Sequence, residues 1–354
     1  SISVPLTPAF RVTTAGAVIV RGGDGPSISY TVRQRVRSHS DADARARLQN
    51  VVVRSVTRGG WNHLTVATGD PALITSELYL TVPRRLKQLA LQSIAGNVEA
   101  YDMDGDVEAE TAGGRVQLDR INGNALAKTG GSHIRIGRVA GSVRCFSGGG
   151  SIQVDSAGGE TWCETAGGEI AIGEVLGVLH ATTAGGNIRV RRAAASVITR
   201  SDGGLIEIGR SGGVVTAQTR GGSIEVGGSQ GVQCESAAGA IRVRGLSGPL
   251  RAQTALGSIL AELAPGIRFD DSSLNSGSGD ITVFIPSNVA VSVQALSESK
   301  NRTPRIVSDF PEIRVRTAGA MRLGPVTAEG ALNGGGPVLR ITASSGTIYL
   351  RRQK

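Results

Sequence analysis

Apolar and polar residues alternate along this chain in short runs, and the runs recur with a fixed period of eighteen. TAGGRVQL begins at Thr111, TGGSHIRI at Thr129, SGGGSIQV at Ser147 and TAGGEIAI at Thr165. TAGGNIRV follows at Thr183, SDGGLIEI at Ser201 and TRGGSIEV at Thr219. The register extends back through SIAGNVEA at Ser93 to TSELYLTV at Thr75. Forward, one residue is lost before SAAGAIRV at Ser236, TALGSILA follows at Thr254, and a four-residue insertion precedes SGSGDITV at Ser276. Numbered from zero, each of the twelve turns has Thr or Ser at position zero, and nearly all have Gly at position three. Position five is aliphatic throughout, from Leu80, Val98 and Val116 through Ile134 to Ile281. A second glycine column, including Gly105, Gly123 and Gly141, precedes another alternating pair such as Val143 with Cys145.

Apolar residues two apart mean strands with one face inward. Strands this short cannot bury that face alone, whereas stacking each turn on the next does. The pattern predicts an all-β fold, a single-stranded parallel β-solenoid (β-helix) in which each turn takes one full period of the sequence. A left-handed hexapeptide helix shares that turn length but needs aliphatic residues at positions five, eleven and seventeen. Here position eleven includes Asn122, Gly158 and Gly212, and position seventeen includes Glu110, Lys128 and Glu164, so the right-handed form is expected. The glycine columns mark corners that need positive φ or have no room for a Cβ. Thr and Ser at position zero suit a hydroxyl ladder at a corner.

The ends depart from the repeat. TAGAVIVRGGDGP at Thr14 reads as an isolated solenoid-like turn that opens the chain, and Ser40 to Asn50 reads as a short helix capped by Ser40. Three regions follow: an N-terminal β-rich module with that helix over 1–74, repeats over 75–296, and closing strands of the same solenoid over 297–354. SISVPL alternates as an edge strand would, and VLRITA and GTIYL end the chain with no cap behind them. Unpaired strand edges accept further strands, so a homo-oligomer built through the terminal strands is one expected association.

Composition narrows the class. Gly is 51 of 354 residues and aromatics are 3 %, so the core is aliphatic. No apolar run reaches the roughly 20 residues of a spanning helix, so no membrane insertion by this chain is expected. The net charge is +9, and only Lys87, Lys128, Lys300 and Lys354 among the 38 basic residues are lysine. The outward column Glu99, Gln117, Arg135, Gln153, Ala171, Arg189 mixes signs. A nucleic-acid rail needs one sign along one face, so no specific nucleic-acid partner is expected. The chain opens at Ser1 without a signal peptide, which means either a removed presequence or a trimmed end. We expect an extracytoplasmic location: periplasmic, secreted or cell surface.

With VIVRGGDG, LYLTVP, the repeated GGxIxV, SGDITVFIP and GPVLRITASSGTIYLRR in view, the chain resembles the bacterial putative-adhesin family of β-strand repeat proteins over essentially its whole length. More distantly it resembles bactofilins, in being an all-β solenoid. The first resemblance implies the fold and a surface location, and it brings no catalytic residues with it.

The candidate chemistry is sparse. Cys145, Cys163 and Cys234 share position sixteen with small residues such as Ala109 and Ala217, which marks an inward, inert column without metal ligands. YDMDGD at Tyr101 to Asp106 resembles part of a calcium loop, but its Gly comes too early and coincides with the corner column. Glu207 and Glu225 share an outward column at about the carboxylate spacing of a retaining glycosidase, yet Arg189 and Arg242 flank them and make a salt-bridge ladder. His39, His63, His133 and His180 form no catalytic spacing. We therefore expect no enzyme, cofactor or metal. The exception to the polar exterior is an outward row of Leu126, Arg144, Trp162, His180 and Ile198, with Phe146 beside it. Apolar groups gathered on an outward face mark a contact site. The sequence reads as a non-enzymatic surface module that contacts an unidentified partner or glycan. The alternatives are a self-assembling filament subunit and, remotely, a polysaccharide-active enzyme.

Overall fold

The computed structural model describes residues 7–38, 40–48, 52–67, 74–265, 270–298, 305–317 and 324–353. The expected edge strand at Ser1 to Leu6 lies outside those residues. The chain is a nearly all-β parallel solenoid with two compact units, Ser1–Gly177 and Val178–Lys354.

In unit 1 the strands are β1 (Ala9–Thr14), β2 (Ala17–Gly23), β3 (Ser29–Val36), then helix α1 (Asp41–Leu48), β4 (Val52–Arg58), β5 (Trp61–Ala67), β6 (Ile74–Pro83), β7 (Gln88–Ser93) and β8 (Val98–Met103). The repeats follow as β9 (Asp106–Thr111), β10 (Val116–Ile121), β11 (Ala125–Thr129), β12 (Ile134–Val139), β13 (Val143–Ser147), β14 (Ile152–Ala157), β15 (Thr161–Thr165) and β16 (Ile170–Val175). Two strands per turn build two parallel ladders, and register partners such as Val116 and Ile134 stand one sequence period apart. The inward aliphatics are sealed: Val116, Leu118, Ile136, Ile152 and Ile170 are fully buried.

The corners show why the repeat needs Thr and Gly where it has them. The Thr129 hydroxyl donates to the carbonyl of Gly114, one turn back, at 2.7 Å and accepts the Ser132 N–H at 3.3 Å. Thr111 and Thr165 do the same with Gly96 and Gly150. Each hydroxyl thereby satisfies two corner groups that the ladder leaves over. The position-three glycines answer the question left open by the sequence: stacking requires them, and Gly279 has positive φ as well. A Cβ at Gly150 would lie 1.9 Å from the carbonyl oxygen of Ser132.

The N-terminal turn is the first correction to the sequence reading. It does not open the solenoid as an isolated turn. Instead β1 lies between β5 and β7, and β2 lies between β6 and β8, all in parallel. Val18 therefore separates Leu78 from Val98, so Leu80 is not the turn-back equivalent of Val98 that the repeat register implies. The reason is that an inserted rung needs a longer path around it, and the step from Leu78 to Val98 exceeds one period of the repeat. Outside this, β3 pairs antiparallel with β6 and β4 antiparallel with β5, which closes both ladders. Helix α1 joins β3 to β4, and the Ser40 hydroxyl accepts the Asp43 N–H at 3.2 Å as its cap.

Unit 2 continues the pattern in β17 (Leu179–Thr183), β18 (Ile188–Ala193), β19 (Val197–Ser201), β20 (Ile206–Ser211), β21 (Val214–Thr219), β22 (Ile224–Val226), β23 (Gly231–Ser236), β24 (Ile241–Leu246), β25 (Leu250–Thr254), β26 (Ile259–Leu263), β27 (Ser272–Ser276) and β28 (Ile281–Ile285). Its closing strands are β29 (Val291–Ser297), β30 (Ile306–Ser308), β31 (Arg314–Thr317), β32 (Val326–Leu332), β33 (Val338–Ala343) and β34 (Ile348–Arg352). Here the second correction arises. VLRITA and GTIYL are not an uncapped end. β33 lies between β27 and β29, and β34 between β28 and β30. β32 then pairs antiparallel with β29, and β31 with β32. The last rung in sequence is an interior rung in space, because Leu339, Ile341, Ile348 and Leu350 complete the aliphatic column that β28 leaves open.

Candidate functional site

Side chains at alternate positions of each strand point outward, and in unit 1 this places the candidate row on one sheet face. Leu126 on β11, Arg144 on β13 and Trp162 on β15 are register partners on successive rungs. Trp162 is 40 % exposed, Arg144 is exposed and Leu126 is half-buried. Phe146, half-buried, lies one outward position further along β13. In unit 2, His180 on β17 and Ile198 on β19 are register partners, with Ile198 42 % exposed and His180 half-buried. The row of six thus resolves into four residues within unit 1 and a pair within unit 2.

The unit 1 column runs further than the sequence showed. Leu126 opposes Glu108, Glu108 opposes Ala90, and Ala90 opposes Arg11. Beside it Trp61 and Gln88 both oppose Ala9, and Gln88 opposes Asp106. Asn124 and Ser142 extend this second column by hydrogen bonds. The Asn124 backbone N–H donates to Asp106 Oδ1 at 2.8 Å, and that of Ser142 to Asn124 Oδ1 at 2.9 Å. Because Ala90 is small, the face dips between the bulk of Trp61 and Arg11 and that of Glu108. The result is a groove of about 460 Å³ that reaches from Trp61 to Arg144. The Arg11 guanidinium stacks on the Trp61 ring at 5.1 Å and holds it as one wall. Glu108 and Arg144 flank Leu126, one rung to either side of it. No ion pair joins either to another described residue.

No family model and no curated protein matches the chain. Two solved structures to which it is similar are described as adhesion proteins. One, a putative adhesin from Bacteroides fragilis, is 12 % identical, covers 73 % of this chain and 93 % of its own, and superposes with a TM-score of 0.35. The other, a putative cell adhesion protein from Clostridium sporogenes, is 7 % identical, covers 98 % and 94 %, and gives 0.24. At such scores the superpositions say nothing about residue roles, so the functional reading rests on this chain's own side chains.

Elsewhere the chemistry is structural. Among the described residues no three His, Cys, Asp or Glu gather to hold a metal ion. The acids of YDMDGD are engaged by the next turn: Asp102 by Arg120, Asp104 by Asn122 and Asp106 by Asn124. The Arg120 hydrogen bond holds the Asp102 carboxyl below the usual carboxylate range. Glu207 and Glu225 are register partners, and each pairs outward with arginine: Arg189 at 3.5 Å and Arg242 at 3.2 Å. His133 bonds Ser151 at a corner.

Cys145 and Cys163 are register partners with no exposure, and Cys234 is 2 % exposed. A hydrogen bond donated to its neighbour Cys163, then burial, pushes the Cys145 thiol up, and burial alone pushes Cys234 to about 12. Since a reagent must reach the sulfur and all three are buried, all three should resist a maleimide reagent in the native protein and react promptly once it is denatured. Rapid labelling of the native protein would show an outward or opening column.

Proposed function

We propose that this chain is a non-enzymatic interaction module of the cell surface, and that the groove between Trp61 and Arg144, with Trp162 beyond it, is its contact face. One observation carries the reading: both tryptophans of the chain stand on this one outward face, with Glu108 and Arg144 between them and in no ion pair with another described residue. Aromatic walls with a few polar groups between them are what recognition sites present. The mixed signs suit a partner with both donors and acceptors, a glycan or a protein strand.

A catalytic reading has less to support it. Active sites gather groups whose protonation is shifted by burial and by each other. Here the shifted carboxylates are tied to structural arginines: Asp102 to Arg120, and Asp309 to Arg352 and Arg351. The described residues include no helix long and apolar enough to cross a membrane.

The test is a glycan array read for binding and for turnover, alongside adhesion to host or bacterial cells. We expect binding without product release, and loss of about tenfold or more on Trp162→Ala with Arg144→Ala, as for truncation of interface anchors. Released product, or binding indifferent to both substitutions, would sink the proposal.

A further inference from the structure

Several outward arginines of the second sheet in unit 2 are matched with acids across rungs. Arg189 meets Glu207, Arg242 meets Glu225 and Arg244 meets Glu262, each arginine answered by an acid on an adjacent rung. Arg192 on β18 differs, since its register partner on β20 is Arg210. Both are exposed, as is Arg191 beside Arg192. No described carboxylate pairs with any of the three. Like charges directly opposite each other destabilise a ladder, and no described carboxylate pairs with this one to offset the cost.

The surroundings leave room for what would offset it. Gly209 follows Arg191 in the next turn, and Gly227 follows Gly209 so closely that a Cβ there would lie 2.4 Å from the Gly209 carbonyl oxygen. Gly228 follows Arg210, with the Arg210 Cγ about 3.8 Å from where its Cβ would be. The surface beside the arginines is therefore bare backbone. The charge is local too: of the 38 basic and 29 acidic residues, 20 and 12 fall in Val178–Lys354, which gives this unit +8 of the net +9.

We infer that Arg192 and Arg210, with Arg191, form a binding site for a phosphate monoester carried on a polysaccharide. Adjacent rungs hold the two guanidinium groups at strands about 4.8 Å apart. A monoester offers three terminal oxygens, enough for a bidentate contact to one arginine and a further bond to the next. A carboxylate offers two. Glu207 and Glu225 neutralise Arg189 and Arg242 on the neighbouring strands, so no run of free cations continues the site along a nucleic acid. Nor do the glycines offer rings on which bases could stack. The fitting ligand therefore carries isolated oxyanions on an otherwise neutral chain.

The test uses the full chain and phosphomannan bearing terminal phosphate monoesters, with the same polymer after phosphatase treatment as the neutral arm. We expect the phosphorylated polymer alone to bind. Arg192→Gln with Arg210→Gln should weaken it by about tenfold, the worth of one or two charge-assisted hydrogen bonds. Arg200→Gln with Arg251→Gln removes equal charge from the other sheet of the unit and should change binding less than about twofold, since distant exposed charges are screened. Without polymer, Arg192→Gln alone should raise the melting temperature, and inorganic phosphate should stabilise the parent protein more than this variant. Equal losses in both double variants, no binding to phosphomannan, or a melting temperature lowered by Arg192→Gln would overturn the site. Tighter binding of oligo-dT than of phosphomannan at the same salt would overturn the polysaccharide assignment.

Discussion

Removing residues 338–354 is expected to unfold the second unit, not to shorten it by a turn. In an ordinary repeat array a terminal deletion breaks one interface. Here β33 and β34 are each paired on both sides, so the deletion opens two interfaces and leaves β27, β28, β29 and β30 facing a gap. Leu339, Ile341, Ile348 and Leu350 are at most 1 % exposed. At about 1.5–3 kcal/mol each, they contribute on the order of 10 kcal/mol, which is comparable to the whole stability of a typical domain. Limited proteolysis and thermal melts of the truncated chain should show unit 2 digested and its transition lost. A truncated protein melting within a few degrees of the parent would contradict the interior placement of these strands.

The second large effect separates two neighbouring glycines. Gly168→Ala should be severely destabilising, while Gly167→Ala should be close to neutral. A Cβ at Gly168 would lie 2.2 Å from the carbonyl oxygen of Gly150, and that atom belongs to backbone fixed in the stack. At Gly167 nothing lies within 4 Å. Overpacking against rigid neighbours costs about 1–3 kcal/mol or more, and a unit of this size shifts by roughly 2–4 °C per kcal/mol. Differential scanning calorimetry of the two variants should therefore separate them clearly. Similar melting temperatures would mean that the corners yield more than their geometry suggests.

Periodicity made the regular part of the fold legible. Position five, the hydroxyl ladder and the inward column that holds the cysteines are local properties that repeat, so each turn states them again, and the helix cap at Ser40 is legible because it is local. The two tucked ends were not legible, because nothing in a repeating pattern says which distant segment will lie beside it. Pairing β2 with both Leu78 and Val98 depends on a path outside the repeat. The groove shared that fate: Leu126 and Arg144 lie in regular turns and were found, whereas Arg11 and Trp61 reach the same face only through the inserted rung. The stacked pair Arg192 and Arg210 falls at one repeat position and was open to sequence reasoning; what hid it was the abundance of arginine elsewhere.

The position of the last rung also bears on how the chain is made. A ribosome delivers β27, β28, β29 and β30 well before β33 and β34, and contacts such as Thr347 to Asp280 span 67 residues. Vectorial synthesis cannot stack this unit turn by turn to its end. The early strands must either wait with unsatisfied edges or pair provisionally and be prised apart when the final segment arrives. Long-range closure of this kind slows folding and lengthens exposure to aggregation or to a holding chaperone. In return, a molecule cut short before β33 never closes, so the architecture itself discriminates finished copies from interrupted ones.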